Sequence, residues 1–247
     1  MTIGEMHIAI QLGVDKINSF QADMLLPEEI DIELNQAQIK YINTKYGKGN
    51  KYQKGFEESQ KRIDDIRTLV TEANLVATYK EQLDARIFVD SVTLPDDYMY
   101  LVNSRSNLVL NLNCTSFIGT VTNTYGTTRV SAAPGTSTEQ RKVNKFVQLD
   151  DLYTMLKDPF NTTTDDRPLY TVRGNQLDLY TSDIFIIDKV KITYIRIPAE
   201  ISLSLAVSCE LPDHSHREIV DMAVGSILET IGDPRYKTHE IEVNKNE

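Results

Sequence analysis

The chain reads as an α+β protein: three N-terminal helices and one C-terminal helix form a small helical bundle, with a large antiparallel β-rich insertion. Three observations predict this class. Apolar residues recur at spacings of three and four through the first seventy-odd positions and again after about Ser215. Between these stretches, β-branched and aromatic residues fall in near-alternation. Strands grouped together, instead of alternating with helices, point to an antiparallel sheet. The expected divisions are 1–74 for the N-terminal helical part, 75–210 for the insertion with a short helix near 149–157, and 211–247 for the last helix and tail.

In the first helix, Ile3, Met6, Ile10, Val14 and Ile17 make one apolar stripe. "SFQADMLLP" breaks the pattern, and Pro27 suits the first turn of a second helix, where its missing N–H has no intrahelical partner. Glu28 and Glu29 follow at the positive end of the helix dipole. Ile30, Leu34, Ala37 and Tyr41 line one face, and Gly47 is the expected stop. After a polar loop, a third helix should begin near Phe56 and turn Phe56, Ile63, Ile66 and Val70 inward.

The β-rich part holds "LVLNLNC", which points Leu108, Leu110 and Leu112 one way. The Thr- and Ser-rich stretch from Tyr125 to Thr138 reads as an exposed loop or hairpin arm. "LDDLYTMLKDPF" suits a short helix, with Asp150 or Asp151 near its start and Pro159 beyond its end. "PLYTVRGNQLDLYT" is the clearest hairpin, turning at Gly174 and Asn175. A longer strand carries Val190, Ile192, Tyr194 and Ile195 and stops at Pro198. For the last helix, Ser215 and Glu218 form an S-x-x-E capping signature. Ile219, Met222, Ala223, Ser226 and Ile227 form its buried stripe, and Gly232, Asp233 and Pro234 end it.

With 40% hydrophobic and 25% charged residues over 247 positions, the chain can fold as one large domain or two small ones. No apolar run reaches membrane-spanning length, and the N-terminus lacks the basic start and cleavage site of a secretory signal. A net charge of −10 argues against coating nucleic acid over the whole surface. The stretch from Lys40 to Arg62 is locally basic, and its simplest reading is a solvated loop. Cys114 and Cys209 are too few for a disulfide scaffold. Both are read as reduced, buried thiols, with a bond between them as the alternative.

"CELPDHSHREIVDMAV" brings Cys209, Asp213, His214 and His216 close in sequence. The capping signature makes this a helix start, so the two histidine side chains should diverge and not chelate. Asp96 and Asp97 are adjacent and point apart, which suits a cap after Pro95 better than acid–base work. "TTTDDRP" is a solvated turn, and the sequons at Asn113 and Asn161 have meaning only in a secreted eukaryotic protein. No catalytic, cofactor-binding or metal-ligating residue is assigned, and no cofactor is expected.

The runs "EEIDIELNQAQIKYINTKYG…FEESQKRIDDIRTLV", "VQLDDLYTMLKDPFNTTTDDRPLYTVRGNQLDLYT", "VKITYIRIPAEISL" and "CELPDHSHREIVDMAV" together resemble head–tail connector (ring or adaptor) proteins of short-tailed bacteriophages, especially crAss-like phages. The long β-rich middle and the short charged tail depart from minimal adaptors. The resemblance implies a structural virion protein, not an enzyme, whose copies form a ring of about twelve below the portal. Such a ring joins the capsid vertex to the tail and lets double-stranded DNA pass through its lumen without sequence-specific binding. The implied partners are further copies of the chain, the portal and neighbouring connector or tail proteins, with no membrane. Assembly would occur in the bacterial cytoplasm. Tyr125 to Thr138 is the candidate arm to a neighbouring copy, and the tail after Pro234 the candidate for docking on the next ring. Alternatives are another tail component such as a hub or fibre-attachment protein, a metal-dependent hydrolase using Asp213, His214 and His216, and a nucleic-acid-binding regulator using Lys40 to Arg62.

Overall fold

The computed structural model describes residues 1–17, 25–47, 60–84, 86–110, 120–122, 128–130 and 139–231. Helices and sheets are both present, so the chain is α+β. It divides into two compact units, one formed by Met1–Val70 with Ile197–Glu247 and the other by Thr71–Arg196. The stretch 197–210, assigned from sequence to the β-rich part, thus belongs with the helices.

In the first unit, α1 (Ile3–Ile17), α2 (Pro27–Tyr46) and α5 (His216–Ile231) are the long elements. α5 packs against both α1 and α2, which touch each other little. Ile3, Met6, Ile10 and Val14 of α1 are buried as their spacing predicts, and so are Ile30, Leu34, Ala37 and Tyr41 of α2. At the start of α2, the Glu29 carboxylate accepts the Leu26 N–H at 2.9 Å. Gly47 ends α2 in extended backbone, φ −77° and ψ 160°, with its N–H on the Asn43 carbonyl. The left-handed cap that a glycine permits is therefore not used.

Three expectations for the helices need correction. α3 spans Gln60–Ile66 and passes through a 3₁₀ turn, Arg67–Leu69, into β1 (Val70–Val76). Val70 therefore opens a strand, and Leu69 takes the buried place. Before α5, Asp213–Ser215 forms a 3₁₀ turn in which the Ser215 hydroxyl donates to the Pro212 carbonyl at 2.7 Å. Glu218 turns instead to two lysines, and a charge-assisted bond outcompetes the reciprocal cap. The buried face of α5 is His216, Ile219, Val220, Ala223, Val224, Ile227 and Leu228, leaving Met222 and Ser226 half-buried.

In the second unit, one sheet has the order β1, β11 (Phe185–Arg196), β4 (Tyr98–Leu110), β7 (Glu139–Val143). The other has the order β2 (Thr78–Asp84), β3 (Ile87–Thr93), β10 (Gln176–Ser182), β9 (Leu169–Arg173), β8 (Lys145–Phe146). β4 is antiparallel to β11 and β7, and β3 and β9 are antiparallel to β10. β8 joins β9 in parallel, against the all-antiparallel expectation, because the chain between them crosses over through α4 (Leu152–Lys157). The predicted hairpin is β9–β10, and Gly174, at φ +59°, supplies the left-handed residue of its two-residue turn.

Alternation sorts this unit's core. Val92, Leu177 and Leu179 meet Leu108, Phe185, Ile187, Val190, Ile192 and Tyr194 in one cluster. Val89, Leu169 and Tyr180 pack with Leu152 and Leu156 of α4. Asp96 and Asp97 form a turn, not a helix cap, and Asp97 accepts the Tyr194 hydroxyl at 2.9 Å. A short ribbon pairs β5 (Thr120–Thr122) with β6 (Thr128–Val130). The rest of the candidate arm, Leu112, Cys114, Phe56, and the expected helix end at Gly232–Pro234 lie outside the described residues.

Gly13 lies at a close approach of α1 to α5: a Cβ there would lie 2.9 Å from Cγ2 of Val224. Valine is stiff at χ1, so it cannot swing aside freely. Gly-to-Ala inside a helix ordinarily gains about 1 kcal/mol. Here Gly13→Ala should lower the thermal midpoint, whereas the same change in a Val224→Ala background should raise it. Melting curves of the four proteins check this sign reversal.

Candidate functional site: a buried ionic cluster at the helix junction

The last turn of α2, α3 and the first turn of α5 meet around Lys45, which is 3% exposed. Its Nζ lies 2.9 Å from Oε2 of Glu218 and 3.7 Å from Oδ2 of Asp65, and 4.9 Å from the centre of the Tyr41 ring. Asp65 is fully buried, and its Oδ1 sits 2.9 Å from Nε2 of His214. The second Glu218 oxygen takes Lys61 Nζ at 3.2 Å. Arg62, also buried, donates to the carbonyls of Thr44 and Lys45 at 3.2 and 3.1 Å, satisfying the open C-terminal end of α2.

The charges shape the local ionisation. Burial works against the Glu218 carboxylate, but the hydrogen bonds and charges of Lys45 and Lys61 prevail and hold its pKa below the usual value. Burial foremost, then the charges of Glu218 and Asp65, pushes the Tyr41 phenol far up. The Tyr41 hydroxyl is buried beside Asp65 and Ser215 without a well-formed hydrogen bond. The cluster thus holds fixed charge, a phenol that stays protonated and a histidine engaged on a carboxylate.

A second polar array runs along α2. Asp31 accepts the Leu203 N–H at 3.0 Å and faces His7 Nε2 at 2.8 Å. Asn35 accepts the Ile201 N–H at 2.8 Å and donates to the Ile201 carbonyl at 3.0 Å. Gln38 donates to the Ala199 carbonyl and accepts the Cys209 thiol at 3.2 Å. These side chains, at spacings of four and three on one helix face, hold 199–203 as a sheet edge would. The chain then turns between Ser202 and Val207, with Ala206 at φ +53° and Leu205 76% exposed.

Of the residues grouped by sequence at 209–216, Asp213 and His216 lie together, Oδ1 to Nδ1 3.5 Å, while Cys209 and His214 turn to separate partners, Gln38 and Asp65. Cys209 is a buried free thiol whose pKa burial raises to about 11. Asp213 is exposed, His214 turns to Asp65, and His216 Nε2 donates to the Leu211 carbonyl at 2.7 Å. Among the described residues, no group of three or more His, Cys, Asp or Glu is placed to hold a metal ion. The basic stretch is no uniform solvated run either: Lys40 and Lys61 are exposed, Lys45 and Arg62 are buried, and Lys48, Lys51 and Lys54 lie outside the described residues. One signal for Lys45 was available, because it continues the buried row Leu34, Gln38, Tyr41 at helical spacing. No protein-family model matches the chain, and no curated protein matches it.

Two predictions come from the cluster. Asp65→Ala leaves Lys45 buried with one partner and His214 with none, which should cost about 3–5 kcal/mol in denaturant unfolding. Glu218, with its lowered folded pKa, contributes stability that is complete above the ordinary carboxylate value of about 4.3. That contribution is lost as pH falls through the lower folded value. Between pH 7 and 3 the thermal midpoint of Glu218→Gln should therefore fall less than that of the unmodified protein.

Proposed function

We propose that the chain is a structural subunit of a phage head–tail connector: one copy in a ring below the portal that joins the capsid vertex to the tail. In this reading the helical unit is a bundle, the β-rich unit an insertion within it, and DNA passes through the ring's lumen. The observation that carries it is the surface of the helical unit. Ile8 and Leu12 on α1, and Ile32 and Ile39 on α2, are each about half exposed. Apolar side chains in repeated helical positions, left open to water, mark a surface completed by another chain. The sequence runs quoted above for the connector resemblance supply the class of assembly. The buried ionic cluster serves as a lock between helices that must keep one geometry in every copy.

Purified protein should form closed rings in negative-stain images, with one subunit number in native mass spectrometry. Isolated monomers at every accessible concentration would overturn the reading.

A further inference from the structure

We propose that copies of this chain join head to tail through the outer face of α1 on one copy and the outer face of α2 on the next. The proposal rests on the ring reading and names its interface. On α1, Ile8 and Leu12, 57% and 54% exposed, lie one turn apart on the face opposite Ile3, Met6, Ile10 and Val14. On α2, Ile32 and Ile39, 55% and 45% exposed, lie two turns apart with Gln36 between them and Asn43 beyond, opposite Ile30, Leu34, Ala37 and Tyr41. α5 packs on both helices through their buried faces, so it covers neither outer face.

Two different apolar stripes on one subunit are what a heterologous contact requires, since an isologous one would repeat a single patch. The spacing fits. Ile8 and Leu12 stand about 6 Å apart along their axis, and Ile39 to Ile32 spans about 10.5 Å, at 1.5 Å per residue. The two α1 side chains can therefore drop into the two gaps of the row Ile39, Gln36, Ile32. Charge fixes the direction. Glu5, exposed one turn before Ile8, meets exposed Lys40 beside Ile39 when the helices run antiparallel. A parallel arrangement would set Glu5 against Glu28 and Glu29, both exposed. The occupant of each face is accordingly a second copy of the chain.

The experiment uses two double variants of the full chain, Ile8→Glu with Leu12→Glu and Ile32→Glu with Ile39→Glu, checked for folding by circular dichroism and read by native mass spectrometry and light scattering. Each alone should need at least about tenfold more protein to assemble than the unmodified chain. Mixed in equal amounts, they should form a one-to-one heterodimer that grows no further, because each retains one competent face. Either variant assembling like the unmodified chain, or a mixture that stays monomeric, overturns the pairing. As a second route, Glu5→Lys and Lys40→Glu should each weaken assembly and together restore it; failure to restore also counts against it. Rings that survive both double variants remove this interface and leave the ring reading standing. Open filaments from the unmodified chain, with the variants behaving as expected, keep the interface and remove the ring.

Discussion

A lysine ammonium taken out of water is the constraint on which the helical unit depends. Lys45, at 3% exposure, is faced by two carboxylates from different helices, Asp65 from α3 and Glu218 from α5, which offset the cost of its burial. Neither carboxylate is local in the chain: Lys45 and Glu218 stand 173 residues apart. Their contact therefore specifies how α5 docks, since a slip of one turn would strand a buried charge. Arg62 adds a second tie by closing the last carbonyls of α2 from α3. Apolar stripes alone tolerate sliding, whereas this set of bonds is satisfied in a single register.

The same logic explains which features could be read from the sequence. Elements whose pattern is local were legible: the α1 stripe at Ile3, Met6, Ile10 and Val14, Pro27 opening α2, the β9–β10 hairpin around Gly174, and the buried side of β11 at Val190 and Ile192. Features set by distant partners were not. The S-x-x-E signature at Ser215 and Glu218 is a local preference worth about 1 kcal/mol, and it gives way when two lysines offer Glu218 stronger bonds. β8 is two residues long and exists through its partner β9. In the candidate site, the charges of Lys45 and Arg62 suggested a solvated loop, because composition cannot report the carboxylates waiting across the fold.

The array on α2 shows how backbone can be satisfied away from a sheet. Residues 199–203 lend their N–H and C=O groups to Asp31, Asn35 and Gln38 in turn. Glu210 takes the Ala199 N–H at 3.0 Å, so the segment is held from its own far side as well. Rigid attachment of this kind leaves the following turn free to present Leu205 outward, at the expense of a left-handed Ala206. In the β-rich unit a related solution appears at Asp178, 1% exposed, which Lys80 approaches at 2.9 Å and Arg173 at 3.7 Å.

α2 therefore distributes its residues against the usual pattern. Its inward face includes Gln38 and Lys45, and its outward face carries Ile32 and Ile39. Fully burying an isoleucine gains about 1.5–3 kcal/mol, so leaving two about half exposed forgoes roughly 1.5–3 kcal/mol, a sizeable part of a margin of about 5–15 kcal/mol. Burying Lys45 costs desolvation on top of that. Both choices run against the stability of a lone subunit. They agree if the inward charges fix the geometry of the helices and the outward isoleucines are covered in the working assembly, where rigid helices lose little entropy on docking. On that view the subunit folds first into one geometry and gains its remaining burial beside its neighbours.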